Sequence, residues 1–499
     1  MELNPIQKRC LGVLRRNRGL LAFVGVGHGK TLISLLSRKA TKARKPLLLY
    51  PASARGTFQE ESLKWCVRLP ETMSYETLST KKAENFLQDY KPDLIVCDEV
   101  HYLKDKTSTR TSRVLRYMKH NPETVFAGLS GTVFVSSIKD FEHLLVFVNS
   151  SLLPLPESHL ARERLDLQTT TKKVLFKQNP KVAKKLHHSL KKTPGIVFST
   201  KSSVDVNLTF DLITGLEIPK EVTQAFEIVK DFWRLPMKDS DFINSAAHIK
   251  MLKKQILMGF HYYYHWPAGE VNEEWLEARL EWARACRDLV EHGRFYHRQY
   301  GRQTFDSPSG VIEALFDAEK YRRISALTKG FKAKMQVGRR ALGRWRIAQT
   351  NPNVPEKRVK WISEYMLDFC ENRSAGELIW NNFTALAEKA NEREGLKVAA
   401  KGQVPRKTRH NHLVSVSSHG KGLNMQKFQR NLVLQGTPNP MIWEQLIGRT
   451  HRQGQRKNVH ISVLAHHPLL LEDFKRAVKK SKNVSAILQQ DHKLSYFRQ

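Results

Sequence analysis

Apolar and polar positions along this chain fall into two textures. Short, nearly unbroken apolar runs occur at Leu20–Val24, Leu47–Tyr50, Leu94–Cys97 and Val125–Leu129, each followed by a longer mixed stretch. Strands covered on both faces need such runs, so the pattern predicts a parallel sheet joined by crossover helices over residues 1–150. The same texture returns near Asn351, with runs at Leu378–Trp380, Leu413–Val416, Asn431–Leu434 and Ile461–Leu464. It predicts a second α/β unit over 351–475. Between them, in 151–350, apolar residues recur at spacings of three and four, as in EEWLEARLEWARACRDLVEH at 273–292. That is the period of amphipathic helices, and a basic, aromatic helical insertion is expected. Within it, FHYYYHWP at 260–267 reads as packed core rather than a base-stacking surface. Residues 476–499 are expected to form a basic C-terminal tail, helical with a frayed end. No period of about 20 to 50 residues marks a repeat array.

Charge sharpens the picture. Lys and Arg number 83 against 48 Asp and Glu, a formal net charge of +35, which calls for a polyanionic partner, nucleic acid first. A membrane surface is the rival, but no apolar run reaches the roughly 18 residues of a spanning helix and no apolar signal segment occupies Met1–Arg18. A soluble chain in the cytoplasm is expected. The five cysteines form no C-x-x-C pair or metal-ligand spacing, so reduced thiols are expected and zinc is not.

The chemistry concentrates in three stretches. After Leu20–Val24 comes GVGHGKT, Gly25–Thr31, then the helical-looking LISLLSRKA. A glycine-rich turn between strand and helix lets backbone N–H groups close on phosphate oxygens, with Lys30 reaching the terminal phosphates and Thr31 on Mg²⁺. The strict pattern wants glycine where Val24 stands; Gly25, Gly27 and Gly29 supply the flexibility instead. The second stretch, DLIVCDEVHYLKDKTSTRTSRVL from Asp93, delivers Asp98 and Glu99 at the end of an apolar strand. Asp98 there would fix the Mg²⁺ coordination and Glu99 would polarise an attacking water, with His101 relaying the state of the site. The third, QLIGRTHRQGQ at 445–455, sets Arg449 and Arg452 three residues apart between glycines. Planar guanidinium forks suit phosphoryl oxygens.

GHGKT, DEVH, LSGT at 129–132, SSHGKGLNMQ at 417–426 and QLIGRTHRQGQ occur in the order found in superfamily 2 motors. The set resembles the Swi/Snf-type DNA-dependent ATPases, including shorter relatives in bacteriophages. DEVHYLKDKTS and LLLYPASARGTFQEE resemble that branch in particular, and NPIQ places Gln7 where its base-reading glutamine stands. The resemblance covers most of residues 1–140 and 375–465. It implies two RecA-like lobes with ATP between them. The first would supply Gly27, His28, Gly29, Lys30, Thr31 and Glu99; the second would supply Arg449 and Arg452 as fingers, with Gln445 beside them. It further implies that Gly422, Asn424 and Gln426 sense nucleotide, and that Ser130 and Thr132 couple hydrolysis to movement. Ser53, Arg55 and Thr77 in the first lobe, and Ser418, His419 and Lys421 in the second, would contact the nucleic-acid backbone. Val133 departs from the proline usual after L-S-G-T. Three functions stay open on these residues: a translocase on duplex or branched DNA, a strand-separating helicase on DNA or RNA, and a basic scaffold without turnover.

Overall fold

The computed structural model describes residues 2–17, 19–25, 28–131, 141–148, 187–188, 190–199, 204–236, 246–300, 306–317, 319, 322, 329–420, 423–488 and 492–497. Strands β1 (Gly19–Phe23), β2 (Pro46–Tyr50), β3 (Glu71–Ser74), β4 (Leu94–Asp98), β5 (Val125–Ser130) and β6 (Ile196–Phe198) form one parallel sheet in the order β3-β2-β4-β5-β1-β6. Every residue of β1, β2, β4 and β5 is buried. The reason is helical cover on both faces: Leu14, Ile33 and Phe58 close one side, Tyr75, Val114 and Leu144 the other.

A second parallel sheet uses β7 (Leu208–Ile213). After it come β8 (Phe260–His265) and β9 (Glu356–Trp361), an antiparallel pair of their own. Then β10 (Leu378–Asn381), β11 (Leu396–Val398), β12 (Asn411–Ser415), β13 (Arg430–Val433) and β14 (Val459–Leu464) complete the second sheet, in the order β11-β12-β10-β13-β14-β7. The chain is therefore α/β with two six-stranded parallel sheets.

The sheets divide the chain differently from its texture. β6 lies beyond residue 150 yet pairs with β1, and β7 pairs with β14 along its whole length. Both are short or half-exposed edge strands, so neither leaves a long apolar run. Helices Lys220–Phe232 and Ala246–Ile256 also pack into the second core, through Val222, Val229, Leu252 and Ile256. The region 151–350 is thus not one insertion. What stands apart among the described residues is a helical unit that includes Glu273–Tyr300, Pro308–Phe316 and Lys329–Gln349, closed around Leu289, Val311, Leu315, Phe331, Met335 and Leu342. Phe260–His265, expected inside helical core, is instead a strand. Phe260 and Tyr262 face the second sheet's core with Val359 and Trp361, in the two-residue alternation of a ribbon.

The helical unit is fastened to the first sheet by Asp306, 2% exposed. Its carboxylate takes Arg113 Nη2 at 2.6 Å and Nε at 2.9 Å, while Arg113 Nη1 donates to the carbonyls of Leu78 and Thr80. Lys81 and Glu313 pair beside it. At the other end of the chain, helix Pro468–Leu488 places Phe474 and Ala477 in the second core and Val484 in the first. The tail does not simply fray: Leu494 is fully buried and Phe497 packs edge-on against Phe210 and Phe474. Among the described residues no helix is long and apolar enough to cross a membrane.

Candidate phosphate site between the two sheets

In the first sheet the glycine turn leaves β1 and enters helix Lys30–Thr41 through Gly29, whose φ of 74° and ψ of 40° are left-handed. The backbone conformation there favours glycine, and a Cβ would stand 2.3 Å from Gln7 Nε2, so the flexible Gln7 amide would have to move aside. Gln7 reaches the turn because Asn4 and Gln7 cap their own helix reciprocally, Asn4 N to Gln7 Oε1 and Gln7 N to Asn4 Oδ1, both 2.9 Å. Gln7 Nε2 then donates to Gly29 O at 3.4 Å. Lys30 Nζ folds back onto the carbonyls of Val24 and Gly25 at 3.2 and 3.4 Å. Thr31 follows, half-buried, and burial and Lys30 together keep the His28 ring below its usual pKa. Gly27 lies outside the described residues. Ser199, unheralded in the sequence because it arrives from 174 residues away, accepts from Gly25 N at 3.1 Å.

Asp98 and Glu99 sit at the end of β4, two positions over from β1. Asp98 is 7% exposed, and among the described residues its Oδ1 meets no hydrogen-bond donor. Burial and the adjacent Glu99 push its pKa up to about 7, against the pull of Lys30. Glu99 shifts the other way. Burial alone would raise it, but Lys30 and hydrogen bonds from His101 and Ser130 outweigh that and hold it ionised. Two neighbouring carboxyls are thereby split into a protonatable and a charged member. Glu99 also has φ 53° and ψ 54°, a left-handed posture that costs a non-glycine residue on the order of 1 kcal/mol and clusters at functional sites. Tyr75 Oη, donating to Asp98 O at 2.8 Å, helps hold the strand end.

A polar path leads from Glu99 to the second sheet. Ser130 Oγ donates to Glu99 Oε2 at 3.1 Å and lies 3.1 Å from His101 Nδ1; His101 Nε2 is 3.4 Å from Gln445 Nε2. Gln445 opens the turn of helix Pro440–Thr450 that carries Arg449. Arg449 is 7% exposed, donates only to the carbonyls of Gln445 and Leu423, at 3.0 and 3.1 Å, and makes no ion pair among the described residues. Burial and Arg452 hold its pKa down to about 10, while Glu99 pulls the other way. Lys30 thus lowers the pKa of Glu99, and Glu99 in turn raises that of Arg449. Arg452 differs: the charge it feels is Glu61, on helix Arg55–Lys64 of the first unit.

The loop before β13 is laced to this helix. Met425 N donates to Arg449 O, Gln426 Nε2 to Gln453 O and Gln455 Nε2 to Gln426 O. Gly454, at φ 90°, leaves room for Gln426 where a Cβ would crowd it at 3.0 Å. Asn424 is exposed, and its Oδ1 accepts from Gln426 N within its own loop. Gly422, Lys421 and Thr132 lie outside the described residues.

Ser53, Arg55 and Thr77 are exposed just past the carboxyl ends of β2 and β3, tied together by Ala52 N donating to Glu76 Oε2 at 3.0 Å. Ser418 is half-exposed beyond β12. His419 is not available to a backbone: it is 1% exposed, accepts from Ser415 N and donates to Ala400 O. Burial lowers its pKa, so it is a neutral, structural ring.

Comparison with protein-family models gives no match. No curated protein matches the sequence either.

Proposed function

We propose that this chain is an ATP-hydrolysing motor that moves along DNA, most readily duplex, and thereby remodels DNA structures or protein–DNA complexes. One observation carries the reading: Arg449, a buried guanidinium with no ion pair among the described residues, stands on the helix of the second sheet whose Gln445 meets His101 of the first, two residues from Glu99. Burying an unpaired cation costs several kcal/mol, and a transferring phosphoryl group would supply the missing anion. On this view the sheets are RecA-like lobes, and the motifs resembling Swi/Snf-type ATPases do what they do in that family.

The residues suit the implied groups. Asp98 Oδ1, buried with no donor among the described residues, and Thr31 would hold Mg²⁺, which neutralises phosphate charge when bound. Lys30 and the N–H groups of the turn would take the phosphates, exchanging the carbonyls of Val24 and Gly25 for phosphoryl oxygens. Glu99 would accept a hydrogen bond from the attacking water and orient it in line with the leaving ADP; Arg449 and Lys30 would stabilise the charge spread over the phosphoryl oxygens. Through Ser130, His101 and Gln445 the state of Glu99 reaches the second lobe. Ser53, Arg55 and Thr77 present donors for a phosphate backbone, and the net charge favours it by counterion release. Such a motor would work in the cytoplasm of a bacterial or phage-infected cell.

The test is ATP turnover with and without duplex DNA, for the parent and Lys30→Ala. Stimulation by DNA that weakens steeply with salt is expected; a Lys30→Ala protein as fast as the parent removes the proposal. Triplex displacement run beside unwinding of a forked duplex separates a translocase from a strand-separating helicase, and displacement alone is expected.

A further inference from the structure

The turn Lys493–Tyr496 belongs to none of the motifs above, yet it grips the arginine-bearing helix at both ends. His492 Nε2 donates to the carbonyl of Pro440, the first residue of that helix, at 3.0 Å. Lys493 Nζ lies 3.1 Å from His451 Nδ1 at its last turn. His451 is 4% exposed, closes the helix through its N–H to Ile447 O, and stands between Arg449 and Arg452 in sequence. Its Nε2 donates to Val206 O at 3.0 Å, on the segment leading into β7. That bond fixes the tautomer: Nδ1 carries a lone pair and needs a donor.

Lys493 supplies it at a cost. Its side chain is 7% exposed, and lysine is almost never buried without a partner. The carboxylate of Glu444 accepts from the backbone N of Lys493 at 2.7 Å. Packing alone would be met better by leucine or methionine. A second effect acts through space, because the ammonium and the Arg452 guanidinium are like charges that lower the Lys493 pKa alongside its burial.

We propose that Lys493 is a positioning residue for the phosphoryl-transfer site, holding His451 and so setting where Arg449 and Arg452 stand when the cleft closes; the inference rests on the motor reading above. Displacing a charge-stabilising group by about 1 Å costs roughly 10²-fold in rate. The loss falls on the step in which phosphoryl charge develops, because the arginines meet that charge rather than the bound diphosphate.

The experiment uses the full chain with duplex DNA: parent, Lys493→Met, Lys493→Arg and Lys30→Ala, assayed for kcat and KM for ATP, and for affinity toward ADP alone and ADP with aluminium fluoride. Lys493→Met is expected to lose about 10- to 100-fold in kcat with KM within about threefold. It should bind ADP as the parent does and the fluoride complex more weakly by a factor like that in kcat. Lys493→Arg should recover most of both. Affinities are read from folded molecules only, so the ratio of the two nucleotide affinities decides even where Lys493→Met is partly unfolded. A parental ratio in Lys493→Met, with Lys30→Ala inactive, overturns the inference and leaves the motor standing. A parent no faster than Lys30→Ala overturns the motor reading itself.

Discussion

Replacing Arg449 by methionine should separate activity from stability, because the same burial that makes the guanidinium useful makes it costly at rest. Depressing its pKa from the ordinary value to about 10 corresponds to roughly 3 kcal/mol of unfavourable environment for the charged form. Methionine of similar volume relieves that term. It gives up two hydrogen bonds, to Gln445 O and Leu423 O, worth about 1 to 3 kcal/mol each when the donor is charged. The two contributions are of similar size and opposite sign, so the resting protein should unfold within about 2 kcal/mol of the parent. Catalysis has no such offset. Loss of an arginine finger typically costs about 10³- to 10⁵-fold in rate, equivalent to about 4 to 7 kcal/mol at the transition state. The assay is steady-state ATP hydrolysis with saturating duplex DNA, beside thermal unfolding of the nucleotide-free protein. A variant within tenfold of the parental kcat would refute the reasoning. So would a large fall in melting temperature with activity lost only in step with the folded fraction.

Gly29→Ala combines a left-handed φ of 74° with a Cβ 2.3 Å from Gln7 Nε2, and should weaken ATP binding by about tenfold or more; adding Gln7→Ala should relieve the contact but not the backbone strain, so recovery measured by nucleotide titration should be partial. Asp306→Ala leaves the buried Arg113 without its carboxylate and should cost about 3 to 5 kcal/mol locally, read as faster hydrogen exchange in Thr109–His120 and in the helical unit; unchanged exchange would deny that Asp306 fastens it. His261 is fully buried, and burial first, then Lys360, holds its pKa down to about 4. A folded value below the unfolded one means stability present above about pH 6.5 that erodes as pH falls toward 4, by at most about 3 kcal/mol; His261→Leu should show a flatter melting temperature over that window than the parent.

Strands β1, β2, β4 and β5, and four of the second sheet, were legible because burial on both faces demands a run of apolar residues that few other structures require. The edge strands were not. β3 reads Glu-Thr-Met-Ser and β7 alternates around Asp211, since one side of each lies open. The motifs at Lys30, Asp98, Glu99 and Arg449 announced themselves through glycine spacing and charge at strand ends, and the fold brings them around one carboxylate. Ser199 and Lys493 carried no signal, because each meets its partner, Gly25 and His451, only across the fold, from 174 residues away in the case of Ser199. His419 misled for the opposite reason: a polar residue beside a motif reads as a contact, and only burial reveals that both ring nitrogens are already engaged.

The chain crosses from one sheet to the other between Phe198 and Leu208, ten steps that span at most about 35 Å fully extended. Ser199 touches the glycine turn near one end of this crossing and Val206 touches His451 near the other. A leash so short would keep the guanidiniums at an effective concentration in roughly the millimolar range if the two halves separated. On the motor reading, re-engagement after each turnover would be a unimolecular return, faster than any encounter between separate subunits at cellular abundance.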